Sequence, residues 1–204
     1  MERRFFIFAV AFVASGCAFG TNRVRLPATA AVPIPDRGAS MAVRVKDARP
    51  EVAGAQVGFK RNGYGAKTGS VELDHDEALA DVLKRDLVAI LRERGYRAQD
   101  AQAGSEASDL LVDAEIVNFV IDVKQGFWSG AVEGIAVVRL TILDAPNRRQ
   151  VLSDIARADY TKSGIQFVSE DDHQEVAENL YRRLLDNIRT AVPDGRAPLQ
   201  GAAP

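Results

Sequence analysis

The chain has 204 residues, with 26 lysines and arginines against 28 aspartates and glutamates, a formal net charge of −2 and a single cysteine. That balance excludes a polybasic surface of the kind that binds nucleic acid or anionic lipid. One cysteine excludes an intrachain disulfide, so the folded part must be held by packing alone.

Arg3 and Arg4 precede the apolar run Phe5 to Ala14, and the small residues Ala14-Ser15-Gly16 lead into Cys17. Such a run is too short to cross a bilayer, which takes about 20 apolar residues. Charge, apolar length, small residues and cysteine together resemble a bacterial lipoprotein signal, in which the cysteine thiol is acylated and the peptide before it is cut away. The resemblance implies that residues 1–16 are a signal peptide and that Cys17 is the lipidation site. Two or three palmitate-like chains would then hold the protein in a membrane, since one chain alone anchors only marginally. Ala18, where an aspartate would imply retention in the inner membrane, implies the outer membrane and its periplasmic face.

Pro27, Pro33 and Pro35 crowd one end of the remaining chain, and Pro193, Pro198 and Pro204 the other. This predicts a lipidated cysteine and flexible Pro/Ala tether over 17–39, a single domain over 40–192 and a disordered tail over 193–204. Met41 to Asp47 alternates apolar and polar as a half-buried strand does. Gly54, Gly58, Gly63, Gly65 and Gly69 follow, and Val57–Arg61 with Lys67–Leu73 reads as a hairpin turning at Asn62-Gly63, a type I′ pair. Leu79, Leu83, Leu87, Ile90 and Leu91 share one face of a helix. Asp74 and Glu77 resemble a capping box before it, and Gly95 is a left-handed stop after it. Asp86 falls beside the apolar stripe with no evident partner.

Residues 109–123, 132–144 and 150–162 read as three successive strands, with Val132, Gly134, Ala136, Val138, Leu140 and Ile142 on one face of the second. A second helix places Val176, Leu180, Tyr181, Leu184 and Ile188 together, with Ser169 as its N-cap and Pro193 as its stop. Strand, hairpin, helix, three strands and helix predict an α+β fold: a mostly antiparallel sheet with two helices packed on one face. Lys46, Arg139 and Arg157, at alternating positions, predict a solvated second face.

Val45-Lys46-Asp47-Ala48-Arg49, the helix end Arg94-Gly95-Tyr96 and the segment Asp122-Val123-Lys124-Gln125-Gly126 resemble the YajG family of bacterial envelope lipoproteins. The likeness spans most of 17–192. It departs in the glycine-rich insert 54–69 and in the Phe127-Trp128 turn. None of its motifs is catalytic, so the resemblance implies a location and a fold, one similar to other small envelope lipoproteins, including auxiliary subunits of transport machines.

Chemistry-bearing patterns are sparse. Gly63 to Thr68 lacks the glycine that must precede the lysine of a phosphate loop. His75 and His173 sit among acids, in Asp74-His75-Asp76-Glu77 and Asp171-Asp172-His173. Carboxylates at helix starts are explained by capping and the helix dipole before any metal is invoked. No nucleophile elbow is present. No cofactor and no metal are therefore expected. Phe127 and Trp128, the latter the single tryptophan, lie between Gly126 and Ser129-Gly130 at a hairpin tip. They either fold back onto the sheet or project as an apolar knob suited to a partner pocket or a membrane interface. The reading that results is a non-enzymatic, outer-membrane-anchored periplasmic lipoprotein that binds or scaffolds an envelope component. Its partners would be the membrane, through the anchor, and an envelope protein, with no nucleic acid. The alternative is a periplasmic enzyme or ligand-binding module acting on an envelope glycan or lipid.

Overall fold

The computed structural model describes residues 20–101 and 108–195. Cys17 and the signal segment lie outside the described residues, as does the tail beyond Gly195. Among the described residues, strands β1 (Asn22–Val24), β2 (Ser40–Asp47), β3 (Gln56–Arg61), β4 (Lys67–Leu73), β5 (Arg97–Asp100), β6 (Leu110–Gln125), β7 (Gly130–Asp144) and β8 (Gln150–Ile165) form one sheet. Helices α1 (Leu79–Glu93) and α2 (Glu170–Ala191) complete an α+β fold. No described helix is long and apolar enough to cross a membrane.

The sheet is mixed, which corrects the expectation of a mostly antiparallel one. β3–β4 and β6–β7–β8 are antiparallel, as short turns require, but β1–β4, β2–β5, β2–β6 and β3–β6 are parallel. The physical reason is connectivity: each parallel pair joins strands separated by a long connection that carries other elements, α1 among them for β2 and β3 with β6, and such a crossover brings the chain back in the same direction. The 16 residues of β6 extend over about 50 Å. One side of it takes two shorter strands end to end: β2 from Met41↔Leu110 to Asp47↔Ile116, then β3 from Gly58↔Ile121 to Arg61↔Lys124.

Arg49 fills the break between them. Its buried guanidinium forks onto Asp47 (Nε–Oδ1 2.8 Å, Nη2–Oδ2 2.7 Å) and donates to the carbonyls of Gly54 and Gln56 at 3.1 and 2.8 Å. Strand ends that would otherwise be buried with unmade bonds are thereby paired. Burial works to raise the Asp47 carboxyl, but the Arg49 hydrogen bonds and charge outweigh it and hold the group below the usual carboxylate range.

Both helices bury their apolar faces in one core with the sheet. Leu83, Leu87 and Ile90 of α1 and Val176, Leu180 and Leu184 of α2 join Val112, Ile116, Val138 and Leu140. Phe119 meets Tyr181 edge-on, ring centroids 6.3 Å apart. Asp86, also fully buried, accepts a 2.6 Å hydrogen bond from the Tyr181 hydroxyl and one from the Thr29 amide at 3.2 Å. Lys46, Arg139 and Arg157 lie exposed on the opposite, solvated face.

Ser169 caps α2 in a reciprocal box with Asp172, and Gly95, at φ 90°, ends α1. Asp74 and Glu77 form no capping box: Asp74–Asp76 is a 3₁₀ turn, and α1 begins after Ala78 without a side-chain cap. Asp74 instead pairs with Arg25 at 2.6 Å. The β3–β4 hairpin turns through 62–66, closed by Asn62 N–H to Ala66 O, and the Asn62 side chain accepts from the Tyr64 and Ala66 amides. It is thus no two-residue type I′ turn.

The described part of the expected tether is strapped to the domain. β1 pairs with β4, Gln174 brackets the Arg25 backbone, Asp86 holds Thr29, and Arg92 reaches the Val32 carbonyl. At the other end, the Gly195 amide bonds to the Arg94 carbonyl, so contact with the domain continues past residue 193.

Candidate docking site

Strand polarity gathers three connections at one end of the sheet. β3 enters the 62–66 loop opposite the end of β6, with Arg61 facing Lys124. β6 turns into β7 through 126–129, closed by Gly126 N–H to Ser129 O at 3.0 Å. β8 ends opposite Gly130 and passes through 166–169 into α2. The Gln125 side chain ties the last two together by accepting from the Val168 amide at 3.2 Å.

Each connection presents an aromatic ring to solvent: Tyr64 is 91% exposed, Phe127 86%, Trp128 88% and Phe167 76%. The two readings open for Phe127 and Trp128 are thereby decided geometrically. Neither folds back, and their rings stand together with centroids 6.2 Å apart. Tyr64 and Phe167 escaped the sequence reading. The signal for Tyr64 was its place between Gly63 and Gly65 at the hairpin loop; Phe167 had only its position just past a strand end.

Three cations at this end are paired, while the exposed acids Glu170 and Asp171 open α2 beside Phe167. Arg61 pairs with Asp122 at 2.7 Å, Lys124 with Glu133 at 2.6 Å and Lys67 with Glu51 at 3.3 Å. Lys67 also lies over the Phe59 ring, 3.5 Å from its centroid. Between the loops is a depression of about 410 Å³ lined by Arg61, Lys124, Gln125 and Ser163 among others.

The N-terminal strap meets the same end. Pairing of Asn22 with Val71 brings Gly20 beside Gly69, so close that a Cβ on residue 69 would stand 2.0 Å from the Gly20 carbonyl oxygen. Asn22 is locked by polar side chains beneath it. Its amide group donates to His173 Nδ1 at 2.6 Å, and its oxygen accepts from Lys60 Nζ at 3.0 Å. Burial, with the Lys60 charge second, pushes the His173 imidazole down to about 4, so it is neutral and accepts that bond. Its Nε2 has no partner among the described residues.

Asp172 beside it is held down to about 2, first by its hydrogen bond from Lys162 and then by the Ser169 amide and hydroxyl. Lys162, bridging Asp172 at 2.8 Å and Glu175, is raised above the ordinary lysine value by those same bonds. These acids therefore cap a helix and bind a lysine. His75 is exposed and bound to Asp74 at 3.5 Å. No group of three metal-ligating side chains occurs among the described residues.

A larger groove of about 620 Å³ crosses the solvated sheet face between Arg44, Lys46, Asp113, Glu115 and Arg139. Register explains its lining: Arg44 faces Asp113 and Lys46 faces Glu115 across β2 and β6, and Arg139 pairs with Glu115 from β7. Opposite charges at cross-strand positions support the sheet.

No protein-family model matches the chain, and no curated protein matches it. Among solved structures it is similar to protein XCC0632 from Xanthomonas campestris, a member of the family DUF330. That match has 10% identity and a TM-score of 0.52, covering 82% of this chain and 92% of that one. It is also similar to the PelC dodecamer from Paraburkholderia phytofirmans at 16% identity and a TM-score of 0.37, covering 78% of this chain and 94% of that one. The first likeness bears on the fold alone, and the second carries no argument.

Proposed function

We propose that this chain is a YajG-like lipoprotein of the outer membrane, acylated at Cys17 and facing the periplasm. Its α+β domain acts without catalysis, by docking onto another component of the envelope. The anchor rests on the residues leading to Cys17: Arg3 and Arg4, the apolar run and Ala14-Ser15-Gly16. The docking role rests on one observation, the near-complete exposure of Phe127 and Trp128 at the crown of a hairpin whose strands are 16 and 15 residues long. Large rings held out by a rigid hairpin gain nothing for folding; they contribute when a second surface covers them. The fold shared with XCC0632 adds an architecture and no activity.

Expression of Cys17→Ser in a Gram-negative host tests the anchor. Wild type should fractionate with the outer membrane and carry acyl chains on its first residue. The serine variant should stay folded, carry no acyl chain and leave the outer-membrane fraction. An unacylated wild-type protein, free in the periplasm, would overturn the reading. A photoreactive residue in place of Phe127 tests the docking element by reporting what lies against the tip in cells. Adducts confined to water and buffer would remove it.

A further inference from the structure

We infer that the envelope component met by the aromatic end is the bilayer itself: the domain sits rings-down on the membrane that holds its anchor. This rests on the lipoprotein reading of Cys17 and extends it from how the protein is attached to which face it turns toward the lipid.

The described chain begins at Gly20, beside β4. β1 runs parallel to β4, Asn22 opposite Val71, and Gly20 lies against Gly69. β4 itself begins at Lys67, immediately after the loop that exposes Tyr64. The chain therefore leaves the domain at the end carrying the aromatic rings. Cys17 is three residues before Gly20, and three residues reach at most about 11 Å. Acyl chains on Cys17 must enter the lipid within that distance of Gly20. A free tether over 17–39 would have left the domain's attitude open. The strapping of Asn22, Arg25, Thr29 and Val32 removes that freedom.

The rest of the end then falls into place. Strands β1, β4, β3, β6, β7 and β8 lie side by side, and at about 4.8 Å per strand this end is roughly 24 Å wide. The anchor leaves at one side of it. Tyr64 hangs from the β3–β4 loop, Phe127 and Trp128 from the β6–β7 tip, and Phe167 from the connection after β8. Tyr64 and Trp128 are the amphipathic rings that the headgroup region of a bilayer accommodates, and Phe127 and Phe167 add apolar surface beside them. Arg61, Lys67 and Lys124 at this end are paired with acids, and the exposed Glu170 and Asp171 follow Phe167 at the start of α2. Contact would therefore be apolar and interfacial, with no cationic attraction for salt to weaken.

Trp128 is the only tryptophan, so the native protein carries its own probe. The mature protein would be purified from membranes and its first residue checked for acylation by mass spectrometry. It would then be reconstituted into phosphatidylethanolamine/phosphatidylglycerol vesicles with or without phospholipid brominated near the glycerol end of the acyl chains. The expected result is co-flotation with vesicles, blue-shifted Trp128 emission, strong quenching by bromolipid, a severalfold drop in acrylamide quenching relative to the detergent-free, delipidated Cys17→Ser protein, and little change on adding salt. Phe127→Ser with Phe167→Ser, both at exposed positions, should weaken bromolipid quenching while the urea midpoint holds.

Acylated protein that floats but keeps a red, acrylamide-accessible and bromolipid-insensitive Trp128 overturns the inference and leaves the anchor standing. Unacylated protein that fails to float overturns the anchor and the inference with it. A photoreactive residue at 127 that crosslinks a polypeptide in cells, instead of phospholipid, assigns the end to a protein partner and also overturns the proposal.

Discussion

The hydroxyl of Tyr181 offers a sharp test of how the two helices and the N-terminal strap are joined. It donates to Asp86 at 2.6 Å in the core, and Asp86 also receives the Thr29 amide at 3.2 Å. Burial, then the charge of Asp86, raises the tyrosine well above its usual value, so it remains a donor across the accessible pH range. Tyr181→Phe keeps the ring and its edge contact with Phe119, and so removes the hydrogen bond alone. Such bonds to charged acceptors are worth about 1.5–3 kcal/mol, and the carboxylate left behind is buried with one donor fewer. We expect a loss of about 2 kcal/mol. In urea, with an m-value of about 2 kcal/mol per molar, the midpoint should drop by about 1 M.

Tyr96 supplies the control. It is equally buried, but its hydroxyl has no hydrogen-bond partner among the described residues. Tyr96→Phe should therefore be neutral or slightly stabilising, because it relieves an unsatisfied buried group. Asp86→Ala should in addition free Thr29 and raise hydrogen exchange through the 25–32 segment, with a non-additive double mutant. If Tyr181→Phe costs less than about 0.5 kcal/mol, or if the two tyrosines respond alike, the Asp86 bridge does not hold the helices together.

The pH dependence of stability should carry the mark of His173. In the unfolded chain it protonates near its ordinary value of 6.5, whereas the folded protein resists protonation until about 4. The unfolded state thus binds more protons in that window, and stability should fall as pH drops through it, by up to about 3 kcal/mol. The lowered carboxylates, Asp172 among them, contribute only further down. Urea titrations from pH 7 to 4 should show this slope in wild type and a flatter one in His173→Gln; parallel slopes would refute the assignment. Gly69→Ala tests the docking of β1: its methyl would collide with the Gly20 backbone, 2.0 Å from the oxygen. We expect faster hydrogen exchange at 20–24 and a cost of about 1–3 kcal/mol. Unchanged protection there would mean β1 is not held against β4.

Periodicity made the long elements legible. Both helices, the three long strands and the β3–β4 hairpin could be read because their hydrogen bonds close locally and their apolar positions repeat over many residues. Ser169 and Gly95 announce helix ends by their own side-chain and backbone chemistry, for the same reason. β1 and β5 span only three and four residues, too few to show an alternation, and exist because β4 and β2 present edges to them. The parallel pairings of β2 and β3 with β6 are equally invisible locally, since they join residues as far apart in sequence as Met41 and Leu110 or Gly58 and Ile121. Asp86 could not be explained until folding set it against a hydroxyl 95 positions away. The Pro/Ala-rich segment has the composition of a free linker, and only contacts with β4, α1 and α2 make it a strap. The aromatic end follows the same rule. Trp128 and Phe127 were conspicuous in the chain, but their exposure, their alignment with Tyr64 and Phe167, and the exit of the N-terminal segment beside them depend on strands from four regions ending at one level. Local sequence can specify a ring at a turn; which way the turn faces is settled by long-range pairing.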